Sequence, residues 1–316
     1  MNLSFVEAPT ARVLSLGGGV DSFAMLVDAL ARGERPDAVA FVDVTDPDGA
    51  DPGEWPATYR HIREVVAPLC RRHRIRFDWI DSGRYPVRDA RSLFSWLWER
   101  GQIPVAGPNR ICTRIAKVER FERWLDDHFP DQLVEVWIGF EAGEEGRAKY
   151  DPNAGKPRRH RPGQARRCNR FPLIERRLCR CRCVALIERA GHLVPTASAC
   201  VYCPYGSKGE WQVLAEEMPD VFARVVELEA RKPPTEAGRK LSIMGFRSFE
   251  KRPAPERTKL RLLRDSAGIA YSAPTLPEFI EGEYRPKAQP CEVCGASEKA
   301  RKVAGCAESF ATTEAA

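Results

Sequence analysis

Ser15-Leu16-Gly17-Gly18-Gly19-Val20-Asp21-Ser22 joins an apolar segment, Arg12 to Leu16, to a helix-like segment, Phe23 to Ala31. Strand, glycine turn and helix start are the parts of a phosphate site. Small residues let the backbone close on an anion, and the free N–H groups of the helix's first turn point at it. Two common nucleotide modes fit poorly. The P-loop form needs Lys-Ser/Thr after its last glycine, which is missing here. The Rossmann form needs Gly-x-Gly-x-x-Gly and an acid about 20 residues on. Gly17 and Gly19 fit it, and Asp43 stands for the acid, but Ser22 takes the third glycine's place. A glycine turn without a ligand stays open beside these.

Outward from the turn, Val39 to Asp43 and Ile75 to Ile80 are short apolar runs separated by the helical stretch Pro56 to His73, and Val134 to Gly139 supplies a fourth strand. This alternation predicts an α/β fold with a parallel sheet. Ligands of such sheets bind beyond the carboxyl ends of the strands, where Gly17, Asp43 and the loop after Gly139 are expected to meet. Asp46 to Pro56 reads as a loop over that edge, Cys112 to Phe129 as an amphipathic helix, and 143–172 as a long mobile loop. Val184 to Ala190 predicts a short helix and Lys208 to Arg231 a long one; the chain after residue 232 is charged and Pro-rich.

The 316 residues are 43% hydrophobic, enough for a real core, and the net charge is +6. No apolar run long enough for a membrane span and no secretory pattern are found, so a cytoplasmic protein without a membrane partner is expected. Eleven cysteines then point to metal binding or thiol chemistry rather than disulfides. Charge is uneven: Lys156 to Cys183 holds eleven Lys or Arg against the single acid Glu175, a density that reads as a surface for phosphates.

Gly-Gly-x-Asp-Ser closely resembles the pyrophosphate loop of the PP-loop ATP pyrophosphatases, Ser-Gly-Gly-x-Asp-Ser, with Gly17 in place of the leading serine and Ser15 two residues earlier. Three further blocks resemble the phosphoadenosine-phosphosulfate reductase-like branch of that superfamily. Cys112-Thr113 with Lys117 matches its Cys-Thr-x-x-x-Lys. Gly139 to Arg147 matches its Gly-x-x-x-x-Glu-x-x-Arg. Pro195 to Tyr205 matches its Pro-x-x-Ser-x-Cys-x-x-Cys-Pro-aromatic block. The resemblance spans about residues 10–232. It implies a PP-loop (adenine nucleotide alpha hydrolase-like) domain there and leaves 233–316 as a helical, cysteine-containing extension with Cys291-x-x-Cys294.

The implied chemistry cleaves ATP between its α and β phosphates, adenylylating a substrate and releasing pyrophosphate. Ser15, Gly17, Gly18, Gly19, Asp21, Ser22 and Asp43 are the nucleotide-binding candidates. Asp21, Lys117 and Arg147 are the catalytic ones, Asp21 either orienting the loop or holding Mg2+, since a carboxylate repels polyphosphate unless a cation intervenes. Iron–sulfur adenylylsulfate reductases, another relative, carry a Cys-Cys pair where Cys112-Thr113 stands. Cys183 is therefore expected to fill the vacant place in a site of Cys112, Cys183, Cys200 and Cys203, for a [4Fe–4S] cluster or, alternatively, zinc. Cys179 and Cys181 compete with Cys183 within one run.

Three functions follow as expectations. The first is ATP-dependent adenylylation for sulfur transfer to a nucleic acid, DNA or tRNA, bound through Lys156 to Arg182 and served by a sulfur-donor protein. The second is reductive sulfate assimilation on an adenylylsulfate, although the C-terminal Glu-Cys-Gly-Leu-His segment of such reductases is missing. The third is a non-catalytic nucleotide or nucleic-acid-binding module.

Overall fold

The computed structural model describes residues 9–104, 110–155, 161–196, 198–232, 239–240, 243, 270–271 and 276–281. Five strands form one parallel sheet: β1 (Ala11–Leu16), β2 (Ala38–Val42), β3 (Arg76–Ile80), β4 (Leu133–Ile138) and β5 (Arg166–Arg170), in the order β3-β2-β1-β4-β5. The α/β expectation holds. β2 is buried at every residue, as a central parallel strand of Ala, Val and Phe should be. β5, Arg-Arg-Cys-Asn-Arg, falls inside the stretch expected to be a mobile loop. It is an edge strand with one fully buried side chain, Asn169, so no apolar run announces it.

Helix α1 (Val20–Ala31) starts directly after the glycine turn and has nine of its twelve residues buried. Next come α2 (Pro56–His61) and α3 (Ala67–Arg72), joined by a π-helical turn over Ile62–Val66. α4 (Leu93–Glu99) begins with a capping box of Ser92 and Ser95. α5 (Ile111–Thr113) and α6 (Glu119–His128) are joined by a second π-helical turn, Arg114–Val118. Such turns recur at functional sites, and the second carries Lys117. α7 (Glu145–Lys149), α8 (Pro172–Glu175) and α9 (Arg180–Arg189) follow. The expected long helix from Lys208 is two, α10 (Lys208–Glu217) and α11 (Pro219–Arg231), because Pro219 cannot continue the hydrogen-bond ladder.

Alternation along β1 sorts the core. Leu14 and Leu16 face Phe23 of α1, Ile62, and Cys183 and Ile187 of α9. Ala11 and Val13 face Phe121, Trp124 and Leu125 of α6. A third cluster joins Phe94, Ile115, Tyr202, Trp211, Leu214 and Leu228 and takes in Ile243 and Leu276. The Glu229 carboxylate accepts from the backbone N–H groups of Ile243 and Leu276, both at 2.9 Å, so described pieces of 233–316 share the core of α11. The remainder of that extension, with Cys291, Cys294 and Cys306, lies outside the described residues. Among the described residues no helix is long and apolar enough to cross a membrane.

Arg120 is buried and forms a hub. It donates to the carbonyls of Tyr85 (2.5 Å), Ala116 (3.1 Å), Ile80 (3.2 Å) and Asp43, fixing the carboxyl ends of β2 and β3 to α6. Burial pulls its pKa down, opposed by the nearby charge of Asp43.

Candidate functional site

Strand order reverses between β1 and β4, which opens a crevice at their carboxyl ends. The glycine turn enters that crevice from β1, and the loop after Gly139 enters it from β4. A Cβ on Gly139 would lie 3.0 Å from both the backbone N and the Cα of Ser22, so only glycine lets β4 end against the start of α1. Neither neighbour is a flexible side chain. Gly139→Ala is therefore expected to lower stability by about 2 kcal/mol, within the usual cost of overpacking, as measured by urea unfolding.

Gly18 has φ +80°, and its Cβ would meet Thr58 Cγ2 at 2.7 Å, so the turn is closed against the α2 helix. Ser22 Oγ accepts from the N–H of Gly17 (3.1 Å) and donates to the carbonyl of Gly19 (3.2 Å), which ties the turn to the first turn of α1. Gly17 itself has room: a Cβ there would meet only Ser22 Oγ, at 3.7 Å. The missing leading serine is thus not a steric necessity. A hydroxyl nonetheless reaches this spot, because Ser198, from the Pro195 block, donates to the carbonyl of Gly17. Ser15 lies within β1, in register with Ala40 and Ile138, and is not part of the turn.

Asp21 is held differently from a metal ligand. Its Oδ2 accepts from Arg180 Nη1 at 2.5 Å, while its Oδ1 is buried without a hydrogen-bond partner among the described residues. Burial pushes its carboxyl above the ordinary carboxylate value, and Arg180 pulls part of that shift back. With one oxygen capped and the other shut from solvent, Asp21 does not fit the role of Mg2+ ligand.

Lys117 and Arg147 are each matched to an acid. Lys117 Nζ lies 2.6 Å from Glu54 Oε1, and the Glu54 side chain is 0% exposed. Glu54 Oε2 in turn accepts from Ser198 Oγ at 3.3 Å. Arg147 pairs with Glu144 at 2.5 Å and lies 4.1 Å above the Phe140 ring. Asp21 with Arg180, Lys117 with Glu54 and Arg147 with Glu144 thus form three charge pairs. Glu54 sits in an Asp/Pro/Gly loop that reads as solvated; what brings it inward is an antiparallel bridge to Cys200, with Val201 N–H donating to the Gly53 carbonyl at 2.9 Å.

Asp43 is brought to the end of β2, but its oxygens are taken. Oδ1 accepts from Tyr59 Oη (2.7 Å) and from the N–H of Thr45 (3.2 Å), and Oδ2 accepts from Trp79 Nε1 (2.9 Å). It lines a cavity of about 510 Å3 with Tyr59, Arg60 and Arg63, whereas the turn is closed by Thr58 and Ile62.

The four-cysteine site needs correction. Cys112, Cys200 and Cys203 lie near enough to influence one another's charge, and Lys117 adjoins the latter two. Cys183 is elsewhere. α9 begins at Arg180, four residues earlier than expected, so Cys183 lies one turn inside a helix that packs along α1. There it is fully buried among Phe23 and Leu186 and adjoins Asp21 and Cys179. Among the described residues no three His, Cys, Asp or Glu side chains are gathered to metal-binding distance. Burial raises the thiol pKa of Cys200 and Cys203, and Lys117 opposes it, so both stand as neutral thiols.

The basic stretch is also less open than its density implies. Lys156 to His160 lie outside the described residues. Arg167 pairs with Glu122, Arg170 with Glu175 and Glu135, Arg176 with Asp28, and Arg180 with Asp21. Much of its charge serves the fold.

No family model and no curated protein matches the chain. Among solved structures it is similar to the U34-tRNA thiolase NcsA from Methanococcus maripaludis with its [4Fe–4S] cluster, at 16% identity and a TM-score of 0.38, over 70% of this chain and 71% of that one.

Proposed function

We propose that the chain is a PP-loop ATP pyrophosphatase that adenylylates its substrate and serves sulfur transfer to a nucleic acid. The observation that carries this reading is the glycine turn at the β1/β4 crevice with Ser198 and three charge pairs around it. The amides of the turn and of the first turn of α1 receive the phosphates, and their fixed dipoles stabilise the charge that grows on the leaving pyrophosphate. Lys117 and Arg147, each held by an acid, are cations that exchange a carboxylate for a phosphate as the nucleotide enters. Mg2+ enters with ATP rather than through Asp21.

Cys112, Cys200 and Cys203 fit an iron–sulfur cluster by donor chemistry, since thiolates are the ligands that such clusters take. When bound, a cluster would supply a site for sulfur beside Lys117. The protein's own part is to present two thiols, Cys200 and Cys203, on a turn anchored to the Glu54 loop and a third, Cys112, from α5, all three half-buried.

The test is incubation of anaerobically purified protein with MgATP, with and without DNA or tRNA, and separation of the nucleotide products. AMP and pyrophosphate are expected in equal amounts, and Asp21→Asn, which removes the charge that Arg180 is paired with, is expected to slow their appearance. Absence of AMP with every acceptor overturns the reading.

A further inference from the structure

We infer that Arg180 is the cation that receives the pyrophosphate end of the nucleotide, and that Asp21 is its anchor rather than a metal ligand. This rests on the proposed nucleotide reading and adds a residue that no motif in the chain pointed to. Arg180 is the first residue of α9, and α9 packs along α1 through Cys183, Leu186 and Ile187. Its guanidinium is thereby delivered from a rigid helix to the N-terminal turn of α1, where Nη1 meets Asp21 Oδ2 at 2.5 Å.

The chemistry of Asp21 argues in the same direction. A bare carboxylate beside free amides repels a polyanion, and a metal needs an open oxygen to relieve that repulsion. Oδ1 is buried and Oδ2 is occupied by Arg180. The charge opposing phosphate is thus already neutralised by a side chain. A guanidinium has five N–H donors in a planar fork, and one of them on Asp21 leaves others for a phosphate oxygen. About a third of the Arg180 side chain is exposed, so the residue is open to solvent beside the first turn of α1. Asp21 then works as the carboxylate that orients the fork.

The experiment is calorimetric titration of the full-length protein with inorganic pyrophosphate in EDTA, and separately with AMP and with MgATP. Wild type is expected to bind pyrophosphate without metal. Arg180→Met is expected to weaken that binding at least tenfold while AMP affinity stays unchanged, which also reports that the variant is folded. Arg180→Lys, which keeps a charge without the fork, is expected to fall between the two. Asp21→Asn is expected to weaken metal-free pyrophosphate binding about threefold or more, because the fork loses its tether. If Asp21 were a metal ligand, Asp21→Asn would leave binding in EDTA unchanged or improve it, and that result overturns the inference. So does an Arg180→Met protein that binds pyrophosphate as tightly as wild type. A wild type that binds neither MgATP nor pyrophosphate overturns the nucleotide reading itself, which separates the two failures.

Discussion

Lys117→Met is expected to destabilise the fold by about 3 kcal/mol, because it leaves Glu54 ionised, buried and without its cation. The Glu54 side chain is fully buried, and its remaining partner is the hydroxyl of Ser198 at 3.3 Å. Lys117 itself is about a third exposed, which places the loss at the lower end of the cost of breaking a buried pair. Glu54→Gln keeps the shape and removes the charge, so it is expected to cost about 1 kcal/mol. The double variant is expected to be more stable than Lys117→Met alone, which marks direct coupling rather than two separate losses. Urea unfolding of the four proteins supplies the cycle.

The pH dependence follows with its sign. Burial opposes the Lys117 charge, yet the Glu54 carboxylate holds its pKa above the ordinary value of 10.5. A cation raised in the folded state contributes stability that is fully present below its ordinary pKa, so the wild-type pair is level from about pH 6 to 9. In Lys117→Met the unpaired carboxyl titrates above its unfolded value. The folded state then binds more protons, and the deficit of the variant shrinks as pH falls through that range. A deficit independent of pH would place the loss in packing of the lysine stem instead.

Four of the five strands were legible because each is an apolar run with a helix-length segment behind it. β5 was not: Arg166 to Arg170 is an edge strand whose stabilisation comes from its ladder to β4 rather than from buried apolar side chains. Gly17 to Ser22 was legible as a turn from its glycines, whereas the Lys117, Arg147 and Cys200 blocks were joined to it only through the family resemblance; in the structure Ser198 of the last block meets Gly17 and Glu54, and Glu54 meets Lys117. The partners did not read. Glu54 and Arg180 lie 63 and 159 residues from the groups they bind, and neither stands in a pattern that separates it from a solvated loop acid or a basic run. Cys183 was misplaced for a related reason: spacing says that a thiol is near a helix start but not which neighbour that helix packs on.

That misplacement yields the other large effect. Cys112→Ser, Cys200→Ser and Cys203→Ser are each expected to remove most of the iron and sulfide from anaerobically reconstituted protein, while Cys183→Ser is expected to retain them. A three-thiol site has no spare ligand among the described residues, and serine is a poor replacement because the cluster is held by thiolate. Metal binding must also displace the thiol protons, which burial makes costly at Cys200 and Cys203. Lys117 lowers that cost, so Lys117→Met is expected to slow cluster uptake as well as weaken the fold. Cys183 is fully buried between α1 and α9, and its replacement by serine places an extra polar group in an apolar contact. Its expected signature is a lower unfolding midpoint with unchanged iron content and visible absorption. Loss of iron in Cys183→Ser at full stability would restore the four-cysteine site and require α9 to rearrange on metal binding.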